Sequence, residues 1–232
     1  MDLPLGPSPL GDGQVPRQRV RITFGKGARL KYISHLDLAR AWERILRRAG
    51  LPVAHSQGFN PRPRFHIASG LPVGVTGRAE LLDLWLVEPL APGEVLARLR
   101  AACPPGLEVA EVAEVDLKAP ALQAQMRAAD YLAVVRTAEP LASIRSRVEA
   151  LLAATTLPHR RPHKGQWQAY DLRPLIQSIT VAPGGEGEQV LAMRLQASPE
   201  RAGRPDEVLD ALGLSALPHT VERITLHFQF DK

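Results

Sequence analysis

The 232-residue chain has almost no cysteine: Cys103 is its single thiol. One thiol excludes an intramolecular disulfide, a four-cysteine zinc site and an iron–sulfur cluster held by the chain's own thiolates. Within AACPPG it reads as a small apolar residue at a helix end, with nothing adjacent to activate it. No apolar run approaches the roughly 18 residues needed to cross a bilayer. The opening MDLPLGPSPLGDGQVPRQ has no apolar core of signal-peptide length, which makes the cytoplasm the expected compartment. Also missing are a P-loop, a G-x-G-x-x-G after a strand and a nucleophile elbow, so nucleotide hydrolysis and dinucleotide redox chemistry have no support.

Acid is scarce where base is abundant. From Arg17 to His66 stand Arg17, Arg19, Arg21, Lys26, Arg29, Lys31, Arg40, Arg44, Arg47, Arg48, Arg62 and Arg64, and the acids there are Asp37 and Glu43. From Glu80 to Asp116 the balance reverses, with Glu80, Asp83, Glu88, Glu94, Glu108, Glu111, Glu114 and Asp116 against Arg98 and Arg100. The net charge is +5, and 45% hydrophobic with 23% charged residues is ordinary for a globular protein. A one-sided cationic surface attracts polyanions through phosphate contacts and counterion release. An arginine-rich proteome would explain part of the composition but not the clustering.

The pattern along the chain predicts an α+β protein made of two tandem ferredoxin-like (βαββαβ) domains. Residues 1–16 read as a flexible leader, 17–118 as the first domain, 119–128 as a linker and 129–232 as the second. RVRITFGKG alternates as a half-buried strand. Ser34 and Asp37 form a capping arrangement for a helix whose inner face is Leu38, Trp42, Ile45, Leu46 and Ala49, with Gly50 closing it. LPVAHSQ reads as a short strand, GFNPRPR as an irregular loop, AELLDLWLVEP as a strand, and APGEVLARLRAAC and LEVAEVAEVDL as a helix and a strand. The second half repeats that order from DYLAVVRT to HTVERITLHFQF.

Three segments are candidates for function. The outer face of the first helix offers Arg40, Arg44, Arg47 and Arg48 to phosphates. Its entry, KYISHLDL, presents Lys31 and His35, where an anion can dock on free helix N–H groups. The histidine is also the candidate general acid or base for RNA cleavage. The loop SQGFNPRPR offers a stacking ring (Phe59), an amide (Asn60) and two guanidiniums (Arg62, Arg64) from a proline-stiffened backbone. The blander reading is a connection pinned by one buried aromatic. A second basic loop, HRRPHKGQWQAYDLRPLI, interleaves Arg160, Arg161, Lys164 and Arg173 with Trp167 and Tyr170. His159 and His163 have a zinc-like spacing, but Pro162 argues against a regular helix and no third ligand is near, so no metal site is expected. Asp171 fits a plain structural partnership.

The run LKYISHLDLARAWERILRRAGLPVAHSQGFNPRPR, then LPVG, the acids Glu80 and Asp83, and the later YDLRPLI, resembles the DUF2344 or radical SAM-linked protein family over nearly all of residues 19–232. The resemblance implies that the residues matching its blocks are functional: His35, Asp37, Gln57, Gly58, Phe59, Asn60, Pro61, Pro63, Glu80, Asp83, Asp171 and Arg173. It also implies a separately encoded radical SAM enzyme as partner, since the C-x-x-x-C-x-x-C ligands of that enzyme are missing here and no cofactor is expected on this chain. The expected function is an RNA-binding adaptor in tRNA or rRNA modification. The alternatives are a metal-independent endoribonuclease using His35 with Lys31 or Arg64, and a purely protein-binding subunit of the enzyme.

Overall fold

The computed structural model describes residues 15–57, 59–163 and 165–229, and of His163 only the backbone. Nearly all of the expected leader, together with Gly58 and Lys164, lies outside the described residues. The chain divides into two compact units, each mixing helices with a sheet. The first comprises the described residues up to Gly70 together with Glu80–Pro120; the second takes Leu71–Ala79 and the chain from Ala121 onward.

In the first unit, strand β1 (Gln18–Lys26) buries Val20, Ile22 and Phe24 completely on one face, as alternation requires. Helix α1 (His35–Arg48) follows, then β2 (Phe65–Ile67), β3 (Val75–Leu86), α2 (Pro92–Ala102) and β4 (Leu107–Val115). The strand order is β4–β1–β3–β2. The crossover through α1 therefore steps over β3, and the one through α2 steps over β1. Leu38, Trp42, Ile45 and Leu46 of α1 meet Leu82, Leu84 and Leu86 of β3 and Val95 and Leu99 of α2 in one core. Each such side chain contributes about 1.5–3 kcal/mol when fully buried. The indole of Trp42 stands edge-on to Phe24 at 5.0 Å between centroids.

The second unit contains α3 (Leu122–Gln125), β5 (Met126–Arg136), α4 (Leu141–Ala153), β6 (Pro158–His163), β7 (Gln166–Asp171), β8 (Ile176–Pro183), β9 (Glu188–Gln196), α5 (Pro205–Ala211) and β10 (His219–Phe228). Its strand order is β10–β5–β9–β8, and the start of β3 adds to β10 in parallel, Val221 facing Val75. Here too each helical crossover steps over one strand. Ala133 and Val135 of β5, Leu191 and Leu195 of β9, Ile144 and Val148 of α4 and Val208 and Leu209 of α5 are all buried.

Two elements differ from the sequence expectation. LPVAHSQ is not a strand: it makes only isolated bridges, Val53 to Leu86 and His55 to Pro63, and regular pairing begins at Phe65. Pro52, Pro61 and Pro63 have no N–H to donate, so a continuous ladder cannot form. Conversely, the second basic segment is no loop. Pro158–His163 and Gln166–Asp171 pair as a two-stranded ribbon, Pro162 opposite Trp167. In a ribbon both strands are edges, which is where proline is tolerated. No helix among the described residues is long and apolar enough to cross a membrane.

Candidate nucleic-acid interface

The entry of α1 is held by reciprocal bonds. The Ser34 hydroxyl accepts from the Asp37 N–H at 3.1 Å and donates to the Asp37 carboxylate at 2.7 Å, and Arg40 donates to the other carboxylate oxygen at 3.2 Å. The serine hydroxyl, with Arg40 assisting, keeps the Asp37 carboxyl below its ordinary value. His35 is exposed in the first turn beside Gly70, and the Lys31 ammonium lies 4.8 Å from the Tyr32 ring centre. Arg40, Arg44 and Arg47 stand exposed on the outer face. Arg48 is also exposed, but it donates to the Ala102 carbonyl at 2.7 Å, closing the end of α2.

The loop after α1 is stapled at its base. Ser56 donates its N–H to the Arg62 carbonyl at 2.8 Å, Arg62 N–H returns to the Ser56 hydroxyl at 3.0 Å, and Arg64 N–H reaches the Ala54 carbonyl at 2.7 Å. Beyond that staple Gln57, Phe59, Asn60, Pro61 and Arg62 are exposed, and the Phe59 ring is completely so. A buried aromatic therefore does not pin this loop. Between α1 and the loop runs a groove of about 630 Å³. Its floor is Leu46, Leu51, Val53, Pro61 and Pro63, its rim carries Arg40, Arg44 and Arg47, and Glu43 is the acid among its lining residues.

The family-motif acids are placed differently. Asp83 is fully buried, and Arg19 donates to it at 3.1 and 2.5 Å while Arg21 donates at 2.9 and 3.2 Å. Arg19 also donates to the Ala119 and Pro120 carbonyls, tying the end of the unit down. Glu80 is buried as well, at 1% exposure. Neither carboxylate faces solvent. Arg64 lies with its guanidinium 4.8 Å from the Trp85 ring centre, and His66 meets the same ring edge-on at 5.1 Å. Trp85 is on the face of β3 opposite the leucines that receive α1, so Arg64 and His35 do not converge. The Cys103 thiol is pushed up by burial, which makes it a poor nucleophile.

In the second unit, the ribbon presents Arg160 and an exposed Trp167, at 72%. Arg161 instead turns inward, 4.0 Å over the Tyr170 ring and 3.5 Å from the buried Glu207 carboxylate. Burial, and then Glu207, push the Tyr170 hydroxyl well above its ordinary value. Among the described residues Asp171 pairs with no arginine side chain: its Oδ1 accepts the N–H groups of Leu157 and Arg173 at 2.7 and 3.0 Å, closing the foot of the ribbon. The Arg173 guanidinium donates to the Leu152 carbonyl at 3.1 and 2.8 Å and to the Ile176 carbonyl at 2.9 Å. It thereby satisfies the C-terminal end of α4. His159 stands edge-on to Tyr170 at 5.8 Å.

Sequence reasoning passed over His55 and His66. The signal was present as H-S-Q and R-P-R-F-H on either side of the proline loop, but only pairing of those segments brings the two rings to one pocket.

No curated protein matches the sequence. Among solved structures, a chain of a Cbf5–Nop10–Gar1 complex is 12% identical with a TM-score of 0.50, over 91% of this chain and 50% of that one. A chain of an H/ACA ribonucleoprotein bound to a substrate RNA is 10% identical with a TM-score of 0.45, over 88% and 46%. The protein spans about half the length of these chains, and its likeness to the first is one of fold. Residues 19–205 match the family described as uncharacterized proteins conserved in bacteria, and the chain belongs to that family, DUF2344.

Proposed function

We propose that this protein is a cytoplasmic RNA-binding adaptor that holds a tRNA or rRNA for a separately encoded radical SAM enzyme. The observation that carries the reading is the groove beside α1. Three exposed guanidiniums, from Arg40, Arg44 and Arg47, rim an apolar floor, and a wholly exposed phenylalanine stands on the stapled loop next to it. Phosphates are answered by the arginines, and an unstacked base finds a ring at Phe59 and an amide at Asn60. Lys31 before α1 and the exposed Arg62 on the loop add further cations to the first unit, and Arg160 and Trp167 repeat the combination of cation and ring in the second unit. Each unit is read as ferredoxin-like, supported by the interleaved strand orders β4–β1–β3–β2 and β10–β5–β9–β8.

The test is purification from the native host after crosslinking, with sequencing of bound RNA and mass spectrometry of co-purifying proteins. One dominant RNA together with a radical SAM enzyme is the expected result. The enzyme without RNA would overturn the adaptor reading in favour of a protein-binding subunit.

A further inference from the structure

His55, Ser56, Gln57, Arg64 and His66 wall a pocket of about 470 Å³, closed on one side by Val15 and Pro16. No acid is among these lining residues. Two extended stretches meet there, fixed by the His55–Pro63 bridge and by the Arg64 N–H bond to Ala54. Trp85, only 6% exposed, organises the cationic wall. Arg64 lies over its ring, His66 stands edge-on to that ring, and the Trp85 backbone N–H donates to the Arg64 carbonyl at 3.2 Å.

The charge behind the wall is also arranged. Arg19 lies 4.8 Å over the same indole, and Asp83 is shared between Arg19 and Arg21. The Asp83 carboxylate in that layer is thus already answered by two guanidiniums. Burial first, then Arg64 and Arg19, hold the His66 imidazole below its ordinary value, against a smaller upward pull from Asp83. An anion entering here meets the Arg64 fork and draws a proton onto His66, so it gains a second charged donor on arrival.

We propose that this pocket binds a phosphate monoester, with Arg64 and His66 as its charged donors and His55, Ser56 and Gln57 as its polar walls. Its volume falls in the range of small-molecule clefts, about 300–1,000 Å³, so it has room for more than the phosphate itself. A phosphate monoester ends both a 5′-phosphorylated RNA and a free nucleotide. The pocket does not depend on the RNA-adaptor reading, and the two are separable by experiment.

With the full chain, the His66 ring signal, assigned by its loss in His66→Gln, is titrated with pH in the presence of AMP or of adenosine. AMP is expected to raise the His66 pKa by about one unit while adenosine leaves it in place. In parallel, two RNAs of one sequence are compared, differing only in a 5′ phosphate or a 5′ hydroxyl. A preference of about tenfold for the phosphate, lost in Arg64→Gln, makes an RNA end the occupant. Equal RNA affinities with the AMP effect intact make a free nucleotide the occupant. The AMP effect without any RNA binding keeps the pocket and removes the adaptor reading. AMP that leaves His66 unmoved overturns the proposal.

Discussion

Arg19 donates two hydrogen bonds to Asp83, at 3.1 and 2.5 Å, with side-chain exposures of 2% and 1%. Arg21 completes the cluster from the neighbouring position on the same face of β1. Removing the carboxylate takes the Asp83 counter-charge from two guanidiniums, that of Arg19 being almost wholly buried. Asp83→Asn is therefore expected to cost about 3–5 kcal/mol, read from the urea midpoint, while RNA affinity of the folded fraction stays unchanged. Loss of RNA affinity without loss of stability would return this acid to the functional set.

The arginines of the α1 groove should behave in the opposite way. Arg40→Ala, Arg44→Ala and Arg47→Ala are each expected to lower the slope of log K against log salt by about one unit, with no sequence preference and little change in stability. An unchanged slope in the triple variant would move the interface elsewhere.

Phe59 and Trp167 touch solvent rather than core. Phe59→Ala and Trp167→Ala should leave the melting temperature in place and weaken single-stranded RNA binding by about 1–3 kcal/mol for each stacked base. Fluorescence quenching of Trp167 by RNA checks the second site directly.

Arg173 was legible in the sequence as a cation beside aromatics, but its guanidinium is engaged by the Leu152 and Ile176 carbonyls. Arg173→Ala is expected to lower stability by about 1.5–3 kcal/mol, with the salt slope of RNA binding intact. A flattened slope in a fully stable variant would contradict this.

His66 gives the molecule a pH dependence of definite sign. Its folded value is depressed, so between the folded and the ordinary value of 6.5 the unfolded chain binds the proton first. Its contribution is complete above the ordinary value and declines as pH falls through the depressed one. The urea midpoint should drop on acidification through that window, and His66→Gln should flatten that part of the curve.

The sequence by itself determined the elements whose periodicity is local. Val20, Ile22 and Phe24 had to face one way on a strand, and Leu38, Trp42, Ile45 and Leu46 had to line one side of a helix capped by Ser34. It also determined which side of α1 would be cationic, because residues excluded from an apolar stripe have only solvent to face. What it left open was the use of each charge. Arg40 and Arg173 are both arginines in family blocks, yet one stands exposed on the outer face of α1, paired with Asp37, and the other closes a helix end. Glu80 and Asp83 entered the charge balance with no position assigned, and both are buried. The turn of the 158–171 segment into a ribbon, and the meeting of His55 with His66, were likewise undetermined. Only the tertiary structure decided these points. A long side chain's partner is chosen by what packing brings within about 3 Å of its tip, often from residues distant along the chain.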